Sequence, residues 1–407
     1  MLRLRGAESF RCRLVCATLS GRPVRIDGIR EADERPGLRD YEASFLRLLE
    51  KISNGCLVEI NETGTTLRYR PGVLLGGADV DHDCGLTRPI GWFVEPLLVL
   101  GLFGRKPLTV TLRGVTDGGR DPGIDLLRTC TLPLLRKMTG LTVGDGELKL
   151  LSRGLPPRGG GAVRLSLPAL KELPPARFLD EGMVKRVRGV AFSARVPPQT
   201  AARVVDGARG VLNPLLADVY VFTDHASGPA AGDSPGYGVE LVAETTAGCL
   251  LSAEACSAEA AVVDGSGGEL NRAWRGGREG PRGAAARADR ADLDASDDEG
   301  ATPAAPADEA TPEDLGRLAA SRLLDEVSRG GAIDAAHQPL ALLLCALGPR
   351  EISEVRVGAL TRPAIATLRA VRDVLGITFA LKPERDSKTI FASCIGAGIK
   401  SLARKIA

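Results

Sequence analysis

The residues of this 407-residue chain best equipped for chemistry are three histidines and a set of turn-borne arginines. His82 lies in Asp81-His82-Asp83-Cys84, a run that offers several metal-ligand types. Adjacent residues cannot readily all face one ion, and no distant Cys-x-x-Cys or His-x-x-x-His segment completes a set, so no metal site is expected. No Gly-Lys-Ser/Thr follows a glycine run, which removes the Walker-type phosphate loop. Gly159-Gly160-Gly161, preceded by Pro156 and Pro157, reads as a hairpin or bulge between strands. No carboxylate cluster suits two-metal RNA cleavage.

The arginines carry the better signal. Arg11 and Arg13 open one apolar helix, and Arg30, Arg35 and Arg39 surround a glycine turn. Arg88 opens a second helix and Arg120 follows a second glycine turn. Guanidinium groups beside helix N-termini supply bidentate donors together with backbone N–H groups, a combination suited to phosphates. For any one of these arginines, solubility and a local ion pair is the better explanation; the cluster together favours anion binding. Aromatic residues make up 4% of the chain, which argues for recognition of a nucleic-acid backbone rather than of stacked bases.

The elements that must position these residues form a repeat. Residues 22–30 read as a strand ending at Gly28, and Pro36-Gly37 then opens a helix, YEASFLRLLEKIS. Residues 105–116 read as a strand ending at Gly114, and Pro122-Gly123 opens DLLRTCTLPLLRKM. EISEVRVGALT ends a third strand at Gly358, and Pro363 opens AIATLRAVRDVLG. β-Branched runs suit the strands and proline suits the first helical turn. An apolar helix precedes each unit and a strand pair follows it, giving helix–strand–helix–strand–strand three times over in an α+β fold. His337-Gln338 opens the leading helix of the third unit, where the first has Arg11 and Arg13. A helix-start residue bonding locally explains His337 alone; pseudo-symmetry would instead gather these openings near one surface.

Between the second and third units, residues 182–256 read as a small α/β insert with a β–α–β–β pattern. Residues 257–312 are rich in Ala, Gly, Asp and Pro and read as a disordered acidic linker. The expected division is therefore 1–181, 182–256, 257–312 and 313–407. Between Ser257 and Asp314 there are 14 acidic and 6 basic residues, a net of −8, which leaves +10 for the rest of a chain whose total is +2. A basic body suits a polyanionic partner, although a merely solvated surface gives the same charge. Nine cysteines without framework spacing fit a reducing compartment. No apolar run is long enough to cross a bilayer. The Arg-rich N-terminus is needed by the first unit, so it is not read as a transit peptide.

Five segments are similar to the RNA 3′-terminal phosphate cyclase family, in its eukaryotic cyclase-like branch. They are GAESFRCRL (6–14), RPGLRDYEASFLRLL (35–49), HDCGLTRPIGWFVE (82–95), RGLPPRGGG (153–161) and GGAIDAAHQPLALLL (330–344). The resemblance implies a large domain of three repeated units with a small inserted domain. Active members transfer adenylate from ATP to a histidine and then to an RNA 3′-phosphate. The matching stretch here, Gly358 to Pro363, has no histidine; Gly6-Ala7-Glu8-Ser9-Phe10 replaces a Gly-rich loop; Asp33 replaces a basic residue; and His337-Gln338 replaces an Asp-Gln pair. Without the nucleophile, covalent nucleotidyl transfer has no evident route.

The resemblance thus implies no catalytic residue, no cofactor and no metal. It implies a nucleolar scaffold of the small-subunit processome, needed for early pre-rRNA cleavages, with a large GTPase and pre-ribosomal RNA as partners and no membrane. The candidate RNA- or phosphate-binding residues are Arg11, Arg13, Arg30, Arg35, Arg39, His82, Arg88, Arg120, His337 and Gln338. The alternatives are an endoribonuclease acting on pre-rRNA, using arginine and histidine without a metal, and a cyclase with another nucleophile.

Overall fold

The computed structural model describes residues 1–77, 79–259 and 311–401. Three four-stranded sheets share one spatial order. The first runs Leu2–Arg5, Val24–Asp27, Leu67–Arg70, Leu57–Ile60; the second Asp79–Asp83, Leu108–Gly114, Gly161–Leu167, Glu147–Ser152; the third Arg177–Phe178, Ile352–Val357, Thr389–Ile395, Ala380–Glu384. In each, the first pair is parallel and the other pairs are antiparallel. A parallel pair needs a crossover, and helices Phe10–Ser20, Ile90–Leu100 and Gln338–Leu347 supply it. Strands alternate in burial as a one-sided sheet requires; in Leu67–Arg70 only Leu67 and Tyr69 are buried.

The expected unit began with a helix. Each sheet instead starts with an edge strand ahead of that helix, a strand too short or too charged (LRLR, DVDHD, RF) to stand out in the sequence. A second helix follows the second strand: Asp40–Ile52 in the first sheet and Arg362–Leu375 in the third. In the second sheet this helix is interrupted, with a π turn over Leu127–Thr131 just before Pro133, whose missing N–H cannot sustain the regular ladder. One apolar cluster joins all three sheets, containing Leu14 and Phe45, Trp92 and Val110, and Leu344 and Val371.

The inserted sheet has the order Val219–Ala226, Val184–Ala194, Gly236–Thr245, Leu250–Cys256, with helix Gln199–Leu212 on one face. Helix Pro312–Arg329 begins at a capping box between Thr311 and Asp314 and lies on that same face. Its Leu315, Ala319, Ala320 and Leu323 share the insert's separate core with Val204, Ala208 and Leu241. The expected division at 313 put this helix with the third unit, but its apolar stripe packs on the inserted sheet. Glycines make the crossing close: a Cβ on Gly316 would stand 2.0 Å from the Val204 carbonyl oxygen, and one on Gly207 2.1 Å from that of Glu313. Most of the acidic segment expected to be a linker, residues 260–310, lies outside the described residues. No helix among the described residues is long and apolar enough to cross a membrane.

Candidate functional site

The arginines meet where the first and second units touch. Arg11 projects from the first turn of its helix and donates to the Trp92 carbonyl at 2.5 Å and to Glu95 Oε2 at 2.7 Å. Its guanidinium also lies 4.7 Å from the Trp92 ring centroid. Arg88 lies 5.0 Å from the Tyr41 ring and 5.7 Å from Trp92, and pairs with Asp121 at 3.3 Å. Arg88 Nε and Asp121 Oδ2 are both buried without a hydrogen bond. Burial pushes the Asp121 carboxyl above the ordinary carboxylate range, with Arg88 and Arg11 pulling against it. Arg120 makes no hydrogen bond or ion pair among the described residues, so this seam presents an uncommitted guanidinium beside two aromatic-stacked ones.

The other arginines hold local structure. Arg13 donates to the carbonyls of Arg5 and Gly6, at 3.1 and 2.8 Å, and so holds the 6–9 loop. Arg30 has a left-handed backbone (φ 48) and grips buried Glu42 through two bonds of 2.8 and 2.7 Å. Glu42 also accepts from the Arg39 backbone N–H at 2.9 Å, and the Arg39 side chain reaches the Arg35 carbonyl at 2.5 Å and Asp33 at 3.2 Å. Of the arginines in this loop, Arg35 alone is exposed with no side-chain bond among the described residues.

Neither candidate histidine faces solvent. His82 is 3% exposed, inward-pointing on its strand, with Nε2 3.0 Å from Ser44 Oγ and Nδ1 without a partner. Burial draws its pKa down to about 4, so near neutral pH it offers a phosphate no positive charge. His337 is 4% exposed and sealed between units. Its Nδ1 lies 2.5 Å from Asp334 Oδ1 and its Nε2 2.7 Å from Thr131 Oγ, on the π turn. Asp334 Oδ2 accepts from the Ser252 N–H and hydroxyl at 3.0 and 2.5 Å, tying in the inserted sheet. Burial alone would lower the imidazole pKa, but the Asp334 carboxylate more than offsets this and raises it. Ligand atoms of Cys130, Asp334 and His337 lie within 4.8 Å of one another. That donor set is one a transition metal accepts, and here Nδ1 and Oδ1 are joined by a direct hydrogen bond. The expectation that His82 and His337 join a phosphate surface is corrected: both are interior.

Gln338 has a different task. Its Nε2 donates to the Ala359 carbonyl at 3.1 Å, and its Oε1 accepts from the Thr361 N–H at 3.0 Å. It therefore clamps the turn between Gly358 and Pro363. Thr361 caps the following helix, its Oγ accepting from the Ala364 N–H at 3.2 Å. Nothing in this turn offers a nucleophilic imidazole.

Sequence reasoning gave no role to Arg153, although it lies in one of the quoted segments. It is wholly buried and meets Asp117 at 3.0 Å, Asp125 at 2.7 Å and, across the seam, Asp224 of the inserted sheet at 2.8 Å. Phe192 lies beneath its guanidinium at 4.1 Å. Glu254 of the insert accepts from the Gly123 N–H at 3.0 Å, strengthening the same joint. The available signal was that Asp117 and Asp125 flank a glycine turn and so need a cation.

The described residues thus form a mixed α+β fold of several sheets, with a turn clamped by Gln338 before the helix Arg362–Leu375. A family model described as RNA 3′-terminal phosphate cyclase matches residues 2–381. The chain is 44% identical to a probable RNA 3′-terminal phosphate cyclase-like protein of Dictyostelium discoideum, covering 99% of each. It is 42% identical to the RNA 3′-terminal phosphate cyclase-like protein of Homo sapiens, over 98% of this chain and 97% of the relative. It is 33% identical to an rRNA processing protein of Saccharomyces cerevisiae, over 99% and 97%. The chain belongs to the RNA 3′-terminal phosphate cyclase family.

Proposed function

We propose that this chain is a non-catalytic, cyclase-like scaffold that acts in pre-rRNA processing toward the small-subunit rRNA. The carrying observation is the Gly358–Pro363 turn. The residues there are Ala359, Leu360, Thr361 and Arg362, with Gln338 clamping the backbone and the Thr361 hydroxyl committed to a helix cap. A turn fixed this way has structural use and no group to accept adenylate. Arg120, at the seam of the first two units beside the Asp121-paired Arg88, would meet RNA phosphates. Relatives named as rRNA processing proteins support the pathway. The resemblance of its segments supports a nucleolar location and a large GTPase as protein partner. We read the three sheets as copies of one unit, forming a body of 1–181 with 330–401 and an insert of 182–259 with 311–329. The endoribonuclease alternative draws nothing from the geometry, because His82 and His337 are interior and no imidazole stands at the arginine seam.

Purified protein incubated with α-labelled ATP, magnesium and a 3′-phosphorylated RNA tests the catalytic half. No protein adduct and no cyclised end is expected; a labelled adduct overturns the reading. Depletion of the protein should leave early pre-rRNA precursors uncut, and normal cleavage would refute the scaffold role.

A further inference from the structure

We infer that the open half of the inserted sheet is a stacking platform for single-stranded RNA, centred on Tyr220 and Phe222. The chain has nine Phe, four Tyr and two Trp. Among the described residues only Tyr220 and Phe222 are exposed, at 49% and 54%. They stand side by side, with ring centroids 4.5 Å apart and planes at 74°. Strand alternation explains their pairing: Val219 and Val221 point into the insert's helix-covered core, which turns 220 and 222 to the opposite face.

That face is divided. Toward the second unit it is closed over Phe192 and Glu240, which are 4% and 2% exposed. Beyond them it is open, because Val219–Ala226 is the edge strand and among the described residues carries no neighbour on its outer side. The rings are bordered by guanidinium groups. Arg188 sits directly across from Tyr220 in the strand register and pairs with Asp218 at 2.8 Å. Arg186, further along the same strand, pairs with Glu244. These pairs are part-exposed, so each is weak and a phosphate can compete for it. Arg209 lies 6.0 Å from the Tyr220 ring, has no acid partner among the described residues, and keeps a buried Nε without a hydrogen bond. On the Tyr220 side three guanidiniums meet two carboxylates, while Asp224, beyond Phe222 on the same face, is held by Arg153.

Rings on a sheet face bordered by cations suit bases that stack while the backbone follows the arginines. A protein hot spot on the same rings would be walled by apolar side chains. Here the nearest cross-strand neighbour of Tyr220 is Arg188, and only half-buried Val190 adjoins Phe222. The inference rests on the RNA association proposed above but uses a different surface from the arginine seam, and it adds base contact to backbone contact.

The test is fluorescence anisotropy of the full chain with labelled oligouridine and with an abasic ribose-phosphate strand of equal length, over a range of salt. Tyr220→Ala and Phe222→Ala should each weaken oligouridine binding about 5- to 150-fold, the span of base–aromatic stacking. The slope against salt should not change, since no phosphate contact is lost. Tyr220→Phe should bind as the parent does, and abasic binding should be indifferent to both alanine changes. Because both rings are exposed, loss of fold does not confound the result. If the double alanine variant keeps full affinity while Arg120→Ala weakens binding and flattens the salt slope, the platform is refuted and the seam stands; the rings then belong to a protein contact. If the parent binds no oligouridine, both fall.

Discussion

Replacing Arg153 by Met should destabilise the protein by about 3–5 kcal/mol near neutral pH, because it leaves buried carboxylates without their cation. The side chain is wholly buried and meets Asp117, Asp125 and Asp224 at 2.7 to 3.0 Å. Met keeps most of the stem that packs on Phe192, so the loss is chiefly electrostatic. Burial already holds Asp117 above the ordinary carboxylate range, with Arg153 the main opposing influence. Without Arg153 the Asp117 pKa must rise further. A folded-state pKa above the unfolded one gives stability that is complete below about pH 4 and is lost as pH rises through the folded value. The deficit of the variant should therefore be smallest near pH 5 and grow toward pH 8. Urea unfolding at several pH values measures it, and hydrogen exchange locates it at the seam with the inserted sheet. Adding Asp117→Asn to Arg153→Met should restore part of the loss, since one unpaired carboxylate fewer remains. A deficit under about 1 kcal/mol, or one that is flat with pH, would refute the charge argument.

Asp334→Asn should cost about 3 kcal/mol at pH 7 by leaving a buried imidazole without its carboxylate. The raised His337 pKa carries that contribution through neutrality, to be lost only as pH climbs through the raised value, while the lowered Asp334 pKa keeps it until strong acid. Urea titrations showing a deficit only below about pH 6.5, the ordinary histidine value, would contradict a charged pair. Gly316→Ala would stabilise an exposed helix by about 1 kcal/mol. Here its Cβ meets a backbone carbonyl at 2.0 Å, so a net loss of about 1–3 kcal/mol is expected, as in overpacked cores. Faster hydrogen exchange along Gln199–Leu212 would report it, and a variant as stable as the parent would disprove the close crossing.

The legible part of the fold was whatever has a strong period and a clear stop. The long second helices, the β-branched strands ending at Gly28, Gly114 and Gly358, and the insert's opening β–α–β order all carry such marks, whereas its last two strands, Gly236–Thr245 and Leu250–Cys256, read as one. The edge strands do not: LRLR and DVDHD alternate in charge as a loop does, and only the parallel pairing with Val24–Asp27 and Leu108–Gly114 shows them to be strands. Helix Pro312–Arg329 drew no reading as an element from the sequence, and its partner was hidden as well. Chain proximity pointed to the third unit, whereas Gly207 and Gly316, which permit the crossing on the insert, read as ordinary interruptions.

The candidate site was harder, because arginine is ambiguous at the level of sequence. Arg13 and Arg30 share the turn-side setting of Arg11 and Arg120, yet Arg30 is consumed by Glu42 and Arg13 by two carbonyls. The acids that consume arginines are distant in the chain as often as near: Glu95 lies 84 residues from Arg11, and Asp224 lies 71 from Arg153. A count of basic residues therefore overstates the surface available to RNA. What is left for a phosphate are groups with no acid partner among the described residues, such as Arg120 and Arg209. The same reasoning reverses the inference from aromatic scarcity. In a chain that buries or half-buries its other described aromatic side chains, two exposed rings on one strand are the more informative for being few.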